Sequence, residues 1–128
     1  MSLRSYRELL AWRKAMDLVN AVYAATRAWP GEELYALTSQ IRRAAVSVPS
    51  NIAEGQGRSS TKEFLKHLSI AYGSLLEIET QIIIAKAQGY CSAEQAEMLL
   101  ELAAEVGRLL NGLSNALKRK LHARATDH

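Results

Sequence analysis

Apolar residues recur at spacings of three and four along most of the chain, the period of helices that each bury one face. The first stretch sets Leu9, Trp12, Met16, Val19 and Tyr23 on one stripe and predicts a helix from about Ser5 to Ala28. Trp29-Pro30-Gly31 ends it, because proline cannot continue the hydrogen-bond ladder and glycine frees the turn. A second stripe runs through Leu34, Leu37, Ile41, Ala44 or Ala45, Val48 and Ile52. Pro49 lies inside it and removes one backbone donor, which predicts a kink rather than a stop. Gly55-Gln56-Gly57 closes this helix, and Ser60-Thr61-Lys62-Glu63 reads as a capping box for the next. The third stripe is Phe64, Leu68, Ala71, Leu75, Ile78, Ile82 and Ala85, ending near Gln88 with Gly89 as its cap. Ser92-Ala93-Glu94-Gln95 opens a fourth helix that carries Leu99, Leu102, Val106, Leu109, Leu113 and Leu117.

Four long helices joined by short loops predict an all-α, antiparallel up-down four-helix bundle with crossing angles of roughly 20°. The bundle is expected over residues 1–121, with 122–128 as a basic, disordered tail. Ile70, Leu76, Ile83 and Ile84 fall outside the third helix's stripe, on a second apolar line. A helix that is apolar on two sides is central or meets a partner. These four residues therefore read as an oligomer interface or as a surface covered by the N-terminal arm.

A chain of 128 residues holds one core, and with 48% apolar but only 6% aromatic residues that core is built from Ala, Leu, Ile and Val. No apolar run approaches the roughly 20 residues that span a bilayer, and no secretory h-region is visible, so no membrane partner is expected. Cys91 is the only cysteine, which rules out an internal disulfide and points to the cytoplasm. Catalytic and metal chemistry is hard to assemble. None of His67, His122 and His128 stands three residues after a glutamate, as a di-iron bundle requires. Glu63 and His67, one turn apart, read as a surface contact. Cys91 precedes a helix N-cap, where a thiol pKa can fall, or it simply fills a turn. Gly55-Gln56-Gly57-Arg58 lacks the Walker pattern and a preceding strand. No enzyme, metal or cofactor is expected.

Charge changes the picture more. Lys118, Arg119, Lys120 and Arg124 crowd the last eleven residues, and without that tail the chain has 12 basic and 12 acidic residues. Arg42 and Arg43 are adjacent in the second helix. Lys62 and Lys66 share a face of the third, with Arg58 just before it. Together these could contact successive phosphates, with Gln40, Ser59 and Ser60 adding hydrogen bonds. The competing readings are ordinary: cations at a helix C-terminus favour its dipole, and arginines pair with glutamates such as Glu54, Glu77 and Glu101 between subunits. With no aromatic platform or helix-turn-helix spacing, any nucleic-acid contact would be backbone-dominated and salt-sensitive.

The string from Leu37 to Gly55, Leu-Thr-Ser-Gln-Ile-Arg-Arg-Ala-Ala-Val-Ser-Val-Pro-Ser-Asn-Ile-Ala-Glu-Gly, resembles the signature of bacterial four-helix-bundle proteins encoded in intervening sequences of 23S ribosomal RNA genes. Leu10-Ala11-Trp12, Trp29-Pro30, Phe64-Leu65, Ala71 to Glu77 and Glu79-Thr80-Gln81 match it in order, over roughly Tyr6 to Lys118. The resemblance implies a homopentamer, which would account for the second apolar line. It places Arg42, Arg43 and Glu54 among motif positions. Ala104 to Leu110 is also similar to the accessory proteins of diversity-generating retroelements, which implies RNA or DNA and a reverse transcriptase as partners.

Overall fold

The computed structural model describes residues 5–126, which form four α-helices and two 3₁₀ turns and, among the described residues, no strand. The helices are α1 (Leu10–Thr26), α2 (Leu37–Gln56), α3 (Thr61–Ala87) and α4 (Ala93–Thr126); the 3₁₀ turns are Tyr6–Glu8 and Gly31–Glu33. α1 packs on α2 and α4, and α3 on α2 and α4, so the four helices close around one core.

The ends are set by local chemistry. Ser60 Oγ accepts the Glu63 amide at 3.1 Å and Ser92 Oγ the Gln95 amide at 3.0 Å, as the capping strings predict. Gly89 adopts φ 79°. It donates to the Lys86 carbonyl while Tyr90 donates to that of Ala85, so the last carbonyls of α3 are satisfied by a Schellman turn. Tyr90 then ties this turn to the loop before α2, its hydroxyl donating to Glu33 Oε2 at 2.6 Å.

Two expectations need correction, one about α1 and one about the start of α2. α1 buries Ala11, Ala15, Leu18, Val22 and Ala25, not the bulkier line of Leu9, Trp12, Met16, Val19 and Tyr23, which lies half-buried beside it. Alanines allow the closest approach to the core, and the large side chains roof the seam with α2. Gly55-Gln56-Gly57 does close α2, with Gly57 as its C-cap, and Gly55 is buried in the last turn, where a Cβ would stand 2.7 Å from His67 Cβ. Leu34 is exposed and precedes α2. Pro49 sits inside α2 without stopping it, and Asn51 Nδ2 donates to the carbonyl and hydroxyl of Ser47 (2.9 and 3.0 Å).

α4 runs on to Thr126, so residues 122–126 continue the helix instead of forming a separate tail; Asp127 and His128 lie outside the described residues. Its stretch Asn111, Gly112, Ser114, Asn115 is costly, together roughly 2–3 kcal/mol less helix-favouring than alanines. Against the expectation from run lengths, α3 is by length and composition alone apolar enough to cross a membrane. Packing accounts for one line of that apolarity: Leu68, Ala71, Leu75, Ile78, Ile82 and Ala85 are buried. The second line is not accounted for. Ile70, Leu76, Ile83 and Ile84 are 43–57% exposed. The described N-terminal residues do not cover them, since Tyr6 stacks edge-on against Trp12 over the α1–α2 seam. At 100° per residue Leu76 and Ile83 lean toward α4 and Ile70 and Ile84 toward α2, with exposed Gly73 and Thr80 between.

Candidate nucleic-acid interface

Three segments bring their cations to one end of the molecule. Arg58 stands on the turn after α2, Lys62 and Lys66 on the first turns of α3, and all three are exposed. Lys118 of α4 shares a groove with Leu65 and Ser69 of α3, which brings the last turns of α4 beside the first turns of α3. Arg119, Lys120 and Arg124 follow, also exposed. The two basic runs, some fifty residues apart in sequence, thus lie at the same end of the molecule, with Lys118 on the α3-facing side of α4 and Arg119, Lys120 and Arg124 turned about 100° or more around the helix from it. Arg58 forms an ion pair there with Glu54 Oε2 at 3.1 Å, and because both partners are about half exposed the pair holds weakly.

The opposite end is acidic. Glu94, Glu97 and Glu101 project from the first turns of α4, and Glu32 and Glu33 from the loop that Tyr90 clamps to it. Lys118 and Glu97 are separated by roughly 32 Å of helix.

Arg42 and Arg43 do not join the basic end, since roughly 20 Å of α2 lies between them and the turn that carries Arg58. Neighbours on a helix point 100° apart, and these two serve different seams. Arg42 is half-buried against α1: its Nε donates to Thr26 Oγ1 at 2.9 Å and its guanidinium lies 4.8 Å from the centre of the Tyr23 ring. Thr26 is buried and itself donates to the Val22 carbonyl at 2.8 Å, so the arginine is held from both sides. Arg43 is exposed in a polar groove between α2 and α3, lined also by Gln40, Ser47, Ser74 and Glu77. Below it a chain of polar contacts runs along the same seam: Ser74 Oγ donates to Ser47 Oγ at 2.9 Å, and His67 Nδ1 lies 3.0 Å from Asn51 Oδ1. Since Asn51 spends its amide protons on Ser47, His67 Nδ1 carries the proton toward Asn51 Oδ1. His67 is therefore a seam residue, and Glu63 is not its partner. Sequence spacing could not find the contacts between helices, because each joins positions at least 16 apart.

Of the remaining chemistry, Cys91 is buried, and burial pushes its thiol up from its ordinary pKa, so it fills the turn and is not an activated thiol. Among the described residues no three His, Cys, Asp or Glu side chains cluster as metal ligands would.

This fold and charge layout can be set against known proteins. Residues 7–112 match the family described as 23S rRNA-intervening sequence protein. The chain belongs to that family. A crystal structure of a protein of unknown function from the S23 ribosomal protein family, from Bacteroides thetaiotaomicron VPI-5482, superposes with a TM-score of 0.75 at 22% identity. The alignment covers 83% of this chain and 96% of that one, and at this identity it speaks for the fold alone. No curated protein matches the chain. The Leu37–Gly55 string lies within the matched residues, and the structure gives much of it a packing role: Thr38, Ile41, Ala44, Ala45, Val48, Ile52 and Gly55 are buried.

Proposed function

We propose that this 23S rRNA-intervening sequence protein is a non-enzymatic, cytoplasmic, up-down antiparallel bundle that assembles as a homopentamer and binds structured nucleic acid through its basic end. The observation that carries the reading is the gathering of Lys62, Lys66, Lys118, Arg119, Lys120 and Arg124, all exposed, at one end of the molecule. Like charges brought together repel, and a polyanion relieves that repulsion by releasing its own counterions. Assembly is supported by the exposed Ile70, Leu76, Ile83 and Ile84, whose burial against another copy would remove them from water. The number five comes from the family resemblance. A ring would set several basic ends side by side.

Size-exclusion chromatography with light scattering, alone and with an RNA duplex at about 50 and about 200 mM salt, tests both halves. Five phosphate contacts predict a loss of roughly 500-fold in affinity over that fourfold change in salt. Lys62→Glu/Lys66→Glu and Lys118→Glu/Lys120→Glu should abolish binding and leave the oligomer intact. An oligomer that ignores RNA at both salts refutes the interface and favours a protein-interaction module. A monomer refutes the assembly.

A further inference from the structure

The α3–α4 seam at the basic end opens into a groove of about 220 Å³, smaller than the roughly 300–1,000 Å³ of drug-sized pockets and on the scale of one flat heterocycle. Its floor is apolar, made by Leu68 and Leu110, both buried. The half-buried Tyr72 forms one wall. The other wall is a single face of α4, where Asn111, Asn115 and Lys118 follow one another at spacings of four and three. Among the described residues neither asparagine amide makes a side-chain hydrogen bond, although each carries two donors and an acceptor. The poorest helix-forming stretch of α4 coincides with this wall. Both asparagines are exposed, so their amides are open to a ligand, and helix stability alone would favour other residues there, because asparagine in a helix interior competes with its own backbone.

We propose that this groove takes one unpaired nucleobase of the bound RNA, stacked against Tyr72, with Asn111 and Asn115 reading its polar edge and Lys118 holding the adjoining phosphate. The parts fit that ligand in kind. An aromatic wall over an apolar floor accepts the base's faces, amides offer the donor–acceptor pairs that base edges present, and the cation stands at the rim where the groove meets the basic surface. A paired duplex cannot enter, because its bases are stacked inside and its deep groove is too narrow for side chains to read. The basic end then supplies affinity, and this slot supplies preference for bulges and loops over uninterrupted helix. The inference rests on the nucleic-acid reading above and makes it more specific.

The test compares a short RNA duplex carrying a single unpaired 2-aminopurine with the same duplex fully paired, at low salt, by fluorescence and by competition. The bulged RNA should bind roughly tenfold more tightly, with a change in 2-aminopurine emission on binding. Asn111→Ala/Asn115→Ala, which raises helix propensity and so folds, should remove most of that preference and leave the paired duplex bound as before. Lys118→Ala should weaken both RNAs. Equal binding of the two RNAs by the wild type, or a preference that survives Asn111→Ala/Asn115→Ala, overturns the slot while leaving the basic end standing. Failure of both RNAs to bind at low salt overturns the two readings together.

Discussion

Replacing Gly55 with alanine should destabilise the protein, although an alanine is normally the better helix residue. In a solvent-facing helix interior the exchange gains about 1 kcal/mol. At Gly55 the new Cβ would lie 2.7 Å from His67 Cβ and 3.0 Å from Phe64 Cδ1. The first of these atoms is fixed to the α3 backbone and cannot swing away, so the helices must part by several tenths of an ångström. Overpacking of this kind costs about 1–3 kcal/mol, and a Cβ–Cβ contact places it at the upper end. The expected net change is a loss of about 1–2 kcal/mol. Gly112 is the control: it is exposed in α4, and a methyl added there would meet nothing within 4 Å, so Gly112→Ala should gain about 1 kcal/mol. Urea unfolding at one fixed protein concentration measures both, since assembly would make stability concentration-dependent. A Gly55→Ala protein as stable as wild type, or more so, would refute the reading of Gly55 as the point of closest approach between α2 and α3.

Further outcomes follow from single contacts. Thr26→Val keeps the shape but takes the acceptor from Arg42 Nε, and should cost about 1–2 kcal/mol in the same unfolding assay. Tyr90 has its pKa raised, first by donating its hydroxyl hydrogen bond to the Glu33 carboxylate and then by burial. Its contribution to stability is therefore complete below the ordinary tyrosine value of 10.0 and fades as pH rises through the raised folded value. Stability above pH 10 should fall less steeply in Tyr90→Phe than in wild type, as followed by helical circular dichroism. Cys91 should resist iodoacetamide at pH 8 in the folded protein and react once urea unfolds it, read by mass.

Helix spans and caps were legible in the sequence because they are local. Ser60 and Ser92 announce their helices within four residues, and Gly89 with Lys86 and Tyr90 closes α3 within a single turn. Which face goes inward was less legible. Apolar side-chain size favours Trp12 and Met16 over Ala11 and Ala15, yet the inward line of α1 is the smaller one, since what decides is how near two helix axes come. The same bias favoured Leu102, Leu109 and Leu113 on α4, which are half-buried, over Ala96, Ala103 and Leu110, which are buried. Of the cationic positions, the sequence identified each residue but not its company. Lys118 reaches Leu65 and Ser69 only because α4 comes alongside α3, whereas Arg42 and Arg43, neighbours in the chain, part into separate seams. Tyr72, Asn111 and Asn115 carried no spacing signal of their own; only the seam brings them together.

The sorting of charge into a basic and an acidic end has a consequence for motion. A net charge of +3 pulls only gently on a distant polyanion. Opposite signs held roughly 32 Å apart on a stiff helix act differently, because a field that barely attracts the molecule still turns it. Torque precedes contact. The protein would arrive at a polyanion with its basic end leading, so a larger share of collisions would be productive than chance orientation allows. Added salt would remove this aim over a distance of about 8–10 Å, well before it breaks a contact already made.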